Sequence, residues 1–318
     1  MSRQIRRLAM TGPTGAIGMA IIEKCIEEQI ELLLITRAGS KRNENIPNAK
    51  NITFIYADID EYDNIDVESL GIGRADAFIH LAWADTIGAG RNNMDVQTKN
   101  IQCTLAAVRL ASRLGCTIFM GAGSQAEYGR VEGYLRADTP VFPENGYGIA
   151  KLCAGQMSRI LCEQLQLEHI WLRVLSIYGP YDGENTMVTS AIRGFLNGNE
   201  TAFTSGEQKW DYLFSKDAAV MIIKLLKYGR NGQIYCIGSG RHRMLKEYIQ
   251  DIYQAMYGKE GLDEDLGIGK VPYSPKQVMF LCADVSELEK DVGAVELTPF
   301  IEGIRETVEW YKNREGRS

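Results

Sequence analysis

The 318-residue chain predicts an α/β fold, a doubly wound parallel sheet with a smaller C-terminal lobe. Three observations carry that expectation. Apolar runs alternate with segments of helical periodicity through the first half of the chain. The strand-like runs, such as Leu32-Leu33-Leu34-Ile35 and Ala77-Phe78-Ile79, are almost continuously apolar, as a sheet covered on both faces requires. Glycines 12, 15 and 18 stand where the first strand gives way to the first helix.

In chain order the strands are expected near 5–11, 31–36, 52–57, 75–82, 116–122 and 169–176, with helices over 16–29, 92–114 and 147–167. After 176 the pattern turns irregular. Gly179-Pro180 breaks the chain, a helix is expected near 187–197, a hairpin around 201–214, and helices near 216–228, 244–257 and 299–314. The first domain spans 1–176 and is rejoined by about 211–240; residues 177–318 mainly form the second lobe. Ligands of such sheets sit outside the carboxyl ends of the strands, here where the chain passes into that lobe.

The segment Thr11-Gly12-Pro13-Thr14-Gly15-Ala16-Ile17-Gly18 is suited to a phosphate. Glycines let the backbone approach a ligand, and the free N–H groups and positive dipole end of the next helix favour an anion. The spacing is GxxGxxG rather than GxGxxG, and three such glycines arise easily in a chain that has 32. Their place between a strand and a helix favours a dinucleotide site, and with it a Rossmann-like sheet.

The bulk composition narrows the partners. A hydrophobic content of 45% is ordinary for a globular core, and a net charge of −6 gives no general attraction to nucleic acid or anionic membranes. Seven cysteines form no CxxC and sit mostly in apolar segments, and three histidines show no metal-ligand spacing. No structural metal is expected. With no run of about 18 apolar residues and no signal-peptide core, the expected compartment is the cytoplasm.

Chemistry enters at Ser124 and at Tyr147, four residues before Lys151. A Tyr and a Lys at this spacing share one helix face. Bringing a phenol of pKa about 10 into use near neutrality costs roughly 4 kcal/mol. An ammonium about 4 Å away supplies a comparable amount at an effective dielectric near 20. A second such pair, Tyr212 and Lys216, leaves an apolar strand-like run, and reads as a packing tyrosine and a surface lysine.

TGPTGAIG, Ser124 and Tyr147-x-x-x-Lys151 together resemble the extended short-chain dehydrogenase/reductases, in the branch acting on nucleotide-diphosphate sugars. The likeness runs through Asp58-Ile59, His80-Leu81-Ala82, Asn100, Leu172-Arg173, Tyr178-Gly179-Pro180, Trp210-Asp211-Tyr212 and Thr307 to Tyr311. It implies that Tyr147 exchanges a proton with the substrate oxygen, that Lys151 lowers its pKa and holds the nicotinamide ribose, and that Ser124 hydrogen-bonds the reacting oxygen. The implied cofactor contacts are Gly12, Thr14, Gly15, Ala16 and Ile17 at the pyrophosphate, Thr36 and Arg37 at the ribose, Asp58 and Ile59 at the adenine, and Leu81, Ala82, Trp83 and Asn100 along the inner wall. Asp58 as a turn cap, Asn100 as a backbone partner and Ser124 as a loop hydroxyl are the simpler alternatives. A homodimer through the helices near 92–114 and 147–167 is also implied.

The second strand ends in Thr36-Arg37-Ala38-Gly39-Ser40-Lys41-Arg42, with no carboxylate to accept a ribose hydroxyl. Arg37, with Lys41 or Arg42, suits a 2′-phosphate, so NADP is expected and NAD is the alternative. Gln125 and Ala126 replace the Asp-Glu pair of the 4,6-dehydratase branch, which disfavours dehydration. Ser176 stands for the epimerases' asparagine and Trp210 for a common arginine, so these two and Met187 are expected to shape an altered substrate site. The expectation is an NADPH-dependent reductase of a nucleotide-diphosphate 4-keto-6-deoxysugar. The alternatives are an NAD-dependent 4-epimerase and a non-catalytic dinucleotide-binding protein.

Overall fold

The computed structural model describes residues 2–314. Its first half runs β1 (Arg7–Thr11), α1 (Ala16–Glu27), β2 (Glu31–Thr36), β3 (Ile52–Tyr56), α2 (Val67–Leu70), β4 (Ala77–His80), α3 (Met94–Arg113), β5 (Ile118–Ser124), α4 (Gly146–Gln164) and β6 (Glu168–Val174). The second half runs β7 (Ser176–Tyr178), α5 (Met187–Asn197), β8 (Lys209–Trp210), β9 (Tyr212–Phe214), α6 (Ser215–Tyr228), β10 (Ile234–Ile237), β11 (Arg243–Met244), α7 (Leu245–Tyr257), β12 (Phe280–Leu281), α8 (Ser286–Val292) and α9 (Phe300–Arg314).

Seven parallel strands form one sheet in the order β10-β6-β5-β4-β1-β2-β3, the doubly wound arrangement expected. The order reverses between β1 and β4, so their carboxyl ends open a crevice. One face of the sheet packs Leu8, Met10, Leu32 and Leu34 against Ile21 and Ile22 of α1 and Ile222 and Leu226 of α6. The other packs Ala9, Leu33, Phe78 and Phe119 against Ala107 and Leu110 of α3 and Cys162 of α4. Residues on opposite faces alternate along β1 and β2, which is why these strands read as unbroken apolar runs.

Two expectations need correction. The seventh strand, β10, has only four residues and was not among the strands read from the sequence. The segment 201–214 is no hairpin. β8 pairs antiparallel with β11 and parallel with β12, whereas β9 pairs in parallel with β7. Asp211 lies between β8 and β9, fully buried, and its hydrogen bonds to distant backbone send the two short strands into different sheets. No helix among the described residues is long and apolar enough to cross a membrane.

Candidate active site

A cleft of about 400 Å³ opens at the reversal point, and Gly12, Thr14, Gly15, Thr36, Arg37, Asp58, Ile59, Leu81, Ala82 and Trp83 line it. Gly12 has φ +68°, and a Cβ there would lie 2.7 Å from the Ala82 nitrogen, so the turn joining β1 to α1 requires glycine. At Gly15 a Cβ would meet nothing within 4 Å, which leaves the approach to the start of α1 open. Asn93 and Asn145 cap α3 and α4 with their side chains, whereas Gly15 gives α1 no side-chain cap and its first turn holds no acid. The uncapped N–H groups of α1 therefore face a cradle fitted to a pyrophosphate. Ala16 and Ile17 form the first turn behind it.

At the end of β2 the Thr36 hydroxyl donates to Asn43 Oδ1 at 2.8 Å, and Asn43 Nδ2 donates to the Arg37 carbonyl at 3.0 Å. These bonds fold the loop back and place Arg37, Ser40 and Arg42 along the cleft. Asp58 also lines the cleft, with one carboxylate oxygen accepting the Ile59 N–H at 2.7 Å. It thus has both features weighed for it, a turn bond and a place in the cleft. Asn100 is buried, accepts from Ala84 N–H at 2.9 Å and donates to Ala84 O at 2.9 Å. Its amide is committed to Ala84 in the loop after β4, the backbone role weighed for it, and Ala84 in turn lines the cleft. Gln97 supports the same loop through Asp85 O and Gly90 O and accepts from Trp83 Nε1 at 2.9 Å.

Ser124 is the last residue of β5, and Tyr147 and Lys151 lie in the first two turns of α4. The structure brings the three together beside the cleft. The Ser124 side chain faces the Tyr147 phenol closely enough to act on its ionisation. Lys151 is buried, donates to Ala122 O at 2.6 Å, and sits 3.8 Å from the centroid of the Trp83 ring. Trp83 meets the Tyr147 ring edge-on at 6.1 Å, and Arg91 lies 4.6 Å over that ring. Burial pushes the Lys151 ammonium down to about 7, with Glu127 acting in the opposite sense. Burial raises the Tyr147 phenol, opposed by the nearby Ser124 hydroxyl and Arg91. Both effects disfavour the charged form in a poorly solvated site.

The expected substrate residues are arranged differently from one another. Trp210 Nε1 donates to Ser176 Oγ at 2.8 Å, so two side chains 34 positions apart satisfy each other. Met187, the first residue of α5, packs on the apolar cluster of the second lobe. Tyr212 joins the aromatic group of Tyr178, Tyr248 and Phe300, while Lys216 pairs at the surface with Glu306 and Glu23, as a packing tyrosine and a surface lysine should.

Sequence reasoning passed over Glu127. It is fully buried, accepts the Ser124 N–H at 2.8 Å, and closes a capping box with Ser124. The Ser-x-x-Glu spacing that signals such a box was visible in Ser124-Gln125-Ala126-Glu127. Arg91 was missed for a different reason, since no local pattern marks a cation that folds over a ring 56 residues away.

Comparison with known proteins agrees with this geometry. Residues 8–238 match the NAD dependent epimerase/dehydratase family. Among curated proteins, the chain is 25% identical to a dTDP-glucose 4,6-dehydratase of Streptomyces niveus, over 96% of this chain and 93% of that one. It is 24% identical to a dTDP-4-dehydro-6-deoxyglucose reductase of Escherichia coli, over 76% and 79%. Among solved structures, a UDP-N-acetylglucosamine 4-epimerase from Methanobrevibacter ruminantium M1 superposes with a TM-score of 0.85 at 22% identity, covering 98% of this chain and all of that one. A dTDP-glucose 4,6-dehydratase from Bacillus anthracis in complex with NAD gives 0.80 at 18% identity, over 98% and 97%. A phosphate cradle, a Tyr-Lys pair and a family match over most of the chain converge: the protein belongs to the NAD dependent epimerase/dehydratase family, and is an NAD(P)-dependent oxidoreductase/epimerase of the extended short-chain dehydrogenase/reductase type.

Proposed function

We propose that the protein reduces a nucleotide-diphosphate 4-keto-6-deoxysugar with NADPH. The observation that carries this reading is the pair Arg37 and Arg42 along the cleft at the end of β2, with no carboxylate between them. A 2′-phosphate pairs with such cations, and a reductase draws on the phosphorylated cofactor as a consumed reagent. When bound, the dinucleotide supplies the hydride that reduces C4. Tyr147 gives its phenolic proton to the C4 oxygen, so a ketone, a hydride and a proton become a secondary alcohol. A phenol that burial keeps protonated at neutral pH is the form this donor needs. Ser124 Oγ accepts the Ala126 N–H at 3.2 Å, which leaves its own proton free for Tyr147 or the reacting oxygen. Gln125 and Ala126 offer no carboxylate for eliminating water, so the dehydratase names of several relatives are not carried over.

The sugar nucleotide lies between the catalytic groups and the second lobe, with the uncharged Ser176–Trp210 pair on its side of the site. The exposed stripe of Ile149, Met157 and Ile160 on α4, with Met94 of α3, is the surface through which two copies associate. The second reading is a 4-epimerase that retains NAD, favoured by the NAD held in the Bacillus anthracis neighbour. Incubation with dTDP-4-keto-6-deoxyglucose and NADPH separates the two. The reductase consumes one NADPH per sugar at 340 nm and prefers it to NADH. No loss of absorbance with the keto sugar, together with interconversion of dTDP-glucose and dTDP-galactose in a parallel incubation with NAD, contradicts the proposal and selects the epimerase.

A further inference from the structure

A fully buried ion pair lies directly behind the catalytic strand end. Glu127 and Arg173 are 0% and 3% exposed, and Arg173 Nε donates to Glu127 Oε2 at 2.8 Å. The other carboxylate oxygen accepts from the Ser124 N–H at 2.8 Å and from Trp171 Nε1 at 3.0 Å. Arg173 also donates to Ala137 O at 3.1 Å and stacks 4.5 Å from the Tyr128 ring. The backbone makes room for this group: a Cβ on Gly123 would overlap both Glu127 Oε1 and Trp171 Nε1, and one on Gly155 would come within 2.6 Å of the indole.

Stability alone does not call for such a pair. Apolar residues of similar volume often replace a buried ion pair without loss of stability. An apolar side chain cannot, however, accept the N–H of Ser124. That N–H belongs to the strand end whose Ala122 carbonyl holds Lys151 at 2.6 Å and whose Ser124 hydroxyl meets Tyr147. One carboxylate therefore reaches the strand end from which both contacts are hung, one peptide unit beyond the Ala122 carbonyl.

We propose that Glu127 is a positioning residue for proton transfer: by accepting the Ser124 N–H it fixes the end of β5, and with it the Ser124 hydroxyl and the carbonyl that holds Lys151. The proposal rests on Ser124 and Tyr147 acting as described above. Its consequence is that the charge of Glu127 is dispensable once Arg173 is also removed, whereas its acceptor oxygen is not.

Two double variants separate positioning from packing. Glu127→Met with Arg173→Met removes the acceptor and keeps the volume; Glu127→Gln with Arg173→Met keeps an acceptor for Ser124 without either charge. Both are compared with the wild type for kcat and KM with dTDP-4-keto-6-deoxyglucose and NADPH, for Tm, and for amide hydrogen exchange at Ser124 in the cofactor-free protein. The expected result is a fall in kcat of about 10²-fold in the Met/Met variant, from misplaced reacting groups, with KM within about twofold. Its Ser124 amide exchanges at least about tenfold faster, and the Gln/Met variant regains most of both properties. Equal loss in the two variants in step with Tm, or a Ser124 amide equally protected in both, overturns the proposal. If the wild type is inert toward the keto sugar, the substrate reading fails, and the exchange data decide the positioning of Ser124 by themselves.

Discussion

The seven-stranded sheet and the second lobe are built on different principles. β1 to β6 have four to seven residues each and find their partners through long parallel registers backed by apolar faces. The strands of the lobe, β8, β9, β11 and β12, have two or three residues, too few to persist by pairing alone. Asp211 binds them together instead. Its carboxylate accepts Ser239 N–H at 2.8 Å, Gly240 N–H at 3.1 Å and Ala283 N–H at 3.0 Å, joining the end of β10 and the chain after β12 to the kink between β8 and β9. Distributed apolar burial holds one region. In the other, the helices α5, α7 and α9 share an apolar cluster, and a single side chain with several donors ties the short strands.

That difference predicts where substitutions act. The largest effect belongs to the catalytic face of the sheet: Lys151→Met lowers kcat by roughly 10³-fold, the order of the electrostatic help an ammonium gives the phenol. The same change raises stability. The folded-state pKa of Lys151, about 7, lies below its ordinary value of 10.5, so the buried ammonium costs on the order of 5 kcal/mol below pH 7. This cost shrinks as pH rises from 7 toward 10.5. The Tm advantage of the variant, measured by calorimetry, is therefore greatest near pH 6 and smaller at pH 9; an advantage that grows with pH contradicts the assignment.

Next comes the lobe. Asp211→Ala leaves three backbone N–H groups without their acceptor and costs roughly 4 kcal/mol, about 6 °C in Tm. The dissociation constant for NADPH, read by fluorescence, stays within about threefold, because the cleft lies in the other region. A large loss of cofactor affinity would show the two regions to be one cooperative unit. Arg37→Glu with Arg42→Glu shifts the ratio of NADPH to NADH affinity by about 10²-fold toward NADH, since carboxylates repel a 2′-phosphate. An unchanged ratio removes the basis for NADPH. The smallest effect is at Ser176→Ala, where Trp210 loses an acceptor at a cost of about 1 kcal/mol or less in thermal unfolding.

The same contrast explains what could be read from the sequence. Leu32 to Ile35, the glycines at 12, 15 and 18 and the four-residue step from Tyr147 to Lys151 are local patterns, and the sheet, the cleft and the helix that carries the Tyr-Lys pair follow from them. The hairpin reading of 201–214 failed because the partners of β8 lie more than thirty residues downstream and Asp211 turns the chain between the strands. The Ser176–Trp210 bond was equally invisible, as neither residue carries a local sign of the other. For Asn100 the helix position is legible in the sequence, but the fold of the loop it clamps is not, so its bond to Ala84 could be named only as a backbone role without a partner. Glu127 could have been found, because its capping-box spacing is written in adjacent residues.

In the proposed reaction the phenol of Tyr147 delivers the proton beside a cleft that takes NADPH. Tyr147→Phe keeps the ring between Trp83 and Arg91 and removes only the hydroxyl. Steady-state turnover of dTDP-4-keto-6-deoxyglucose by this variant, with NADPH affinity measured in parallel, tests the claim most directly. The expected result is a fall in kcat of about 10³-fold with the dissociation constant for NADPH within about twofold; turnover within a few-fold of the wild type contradicts proton delivery by Tyr147.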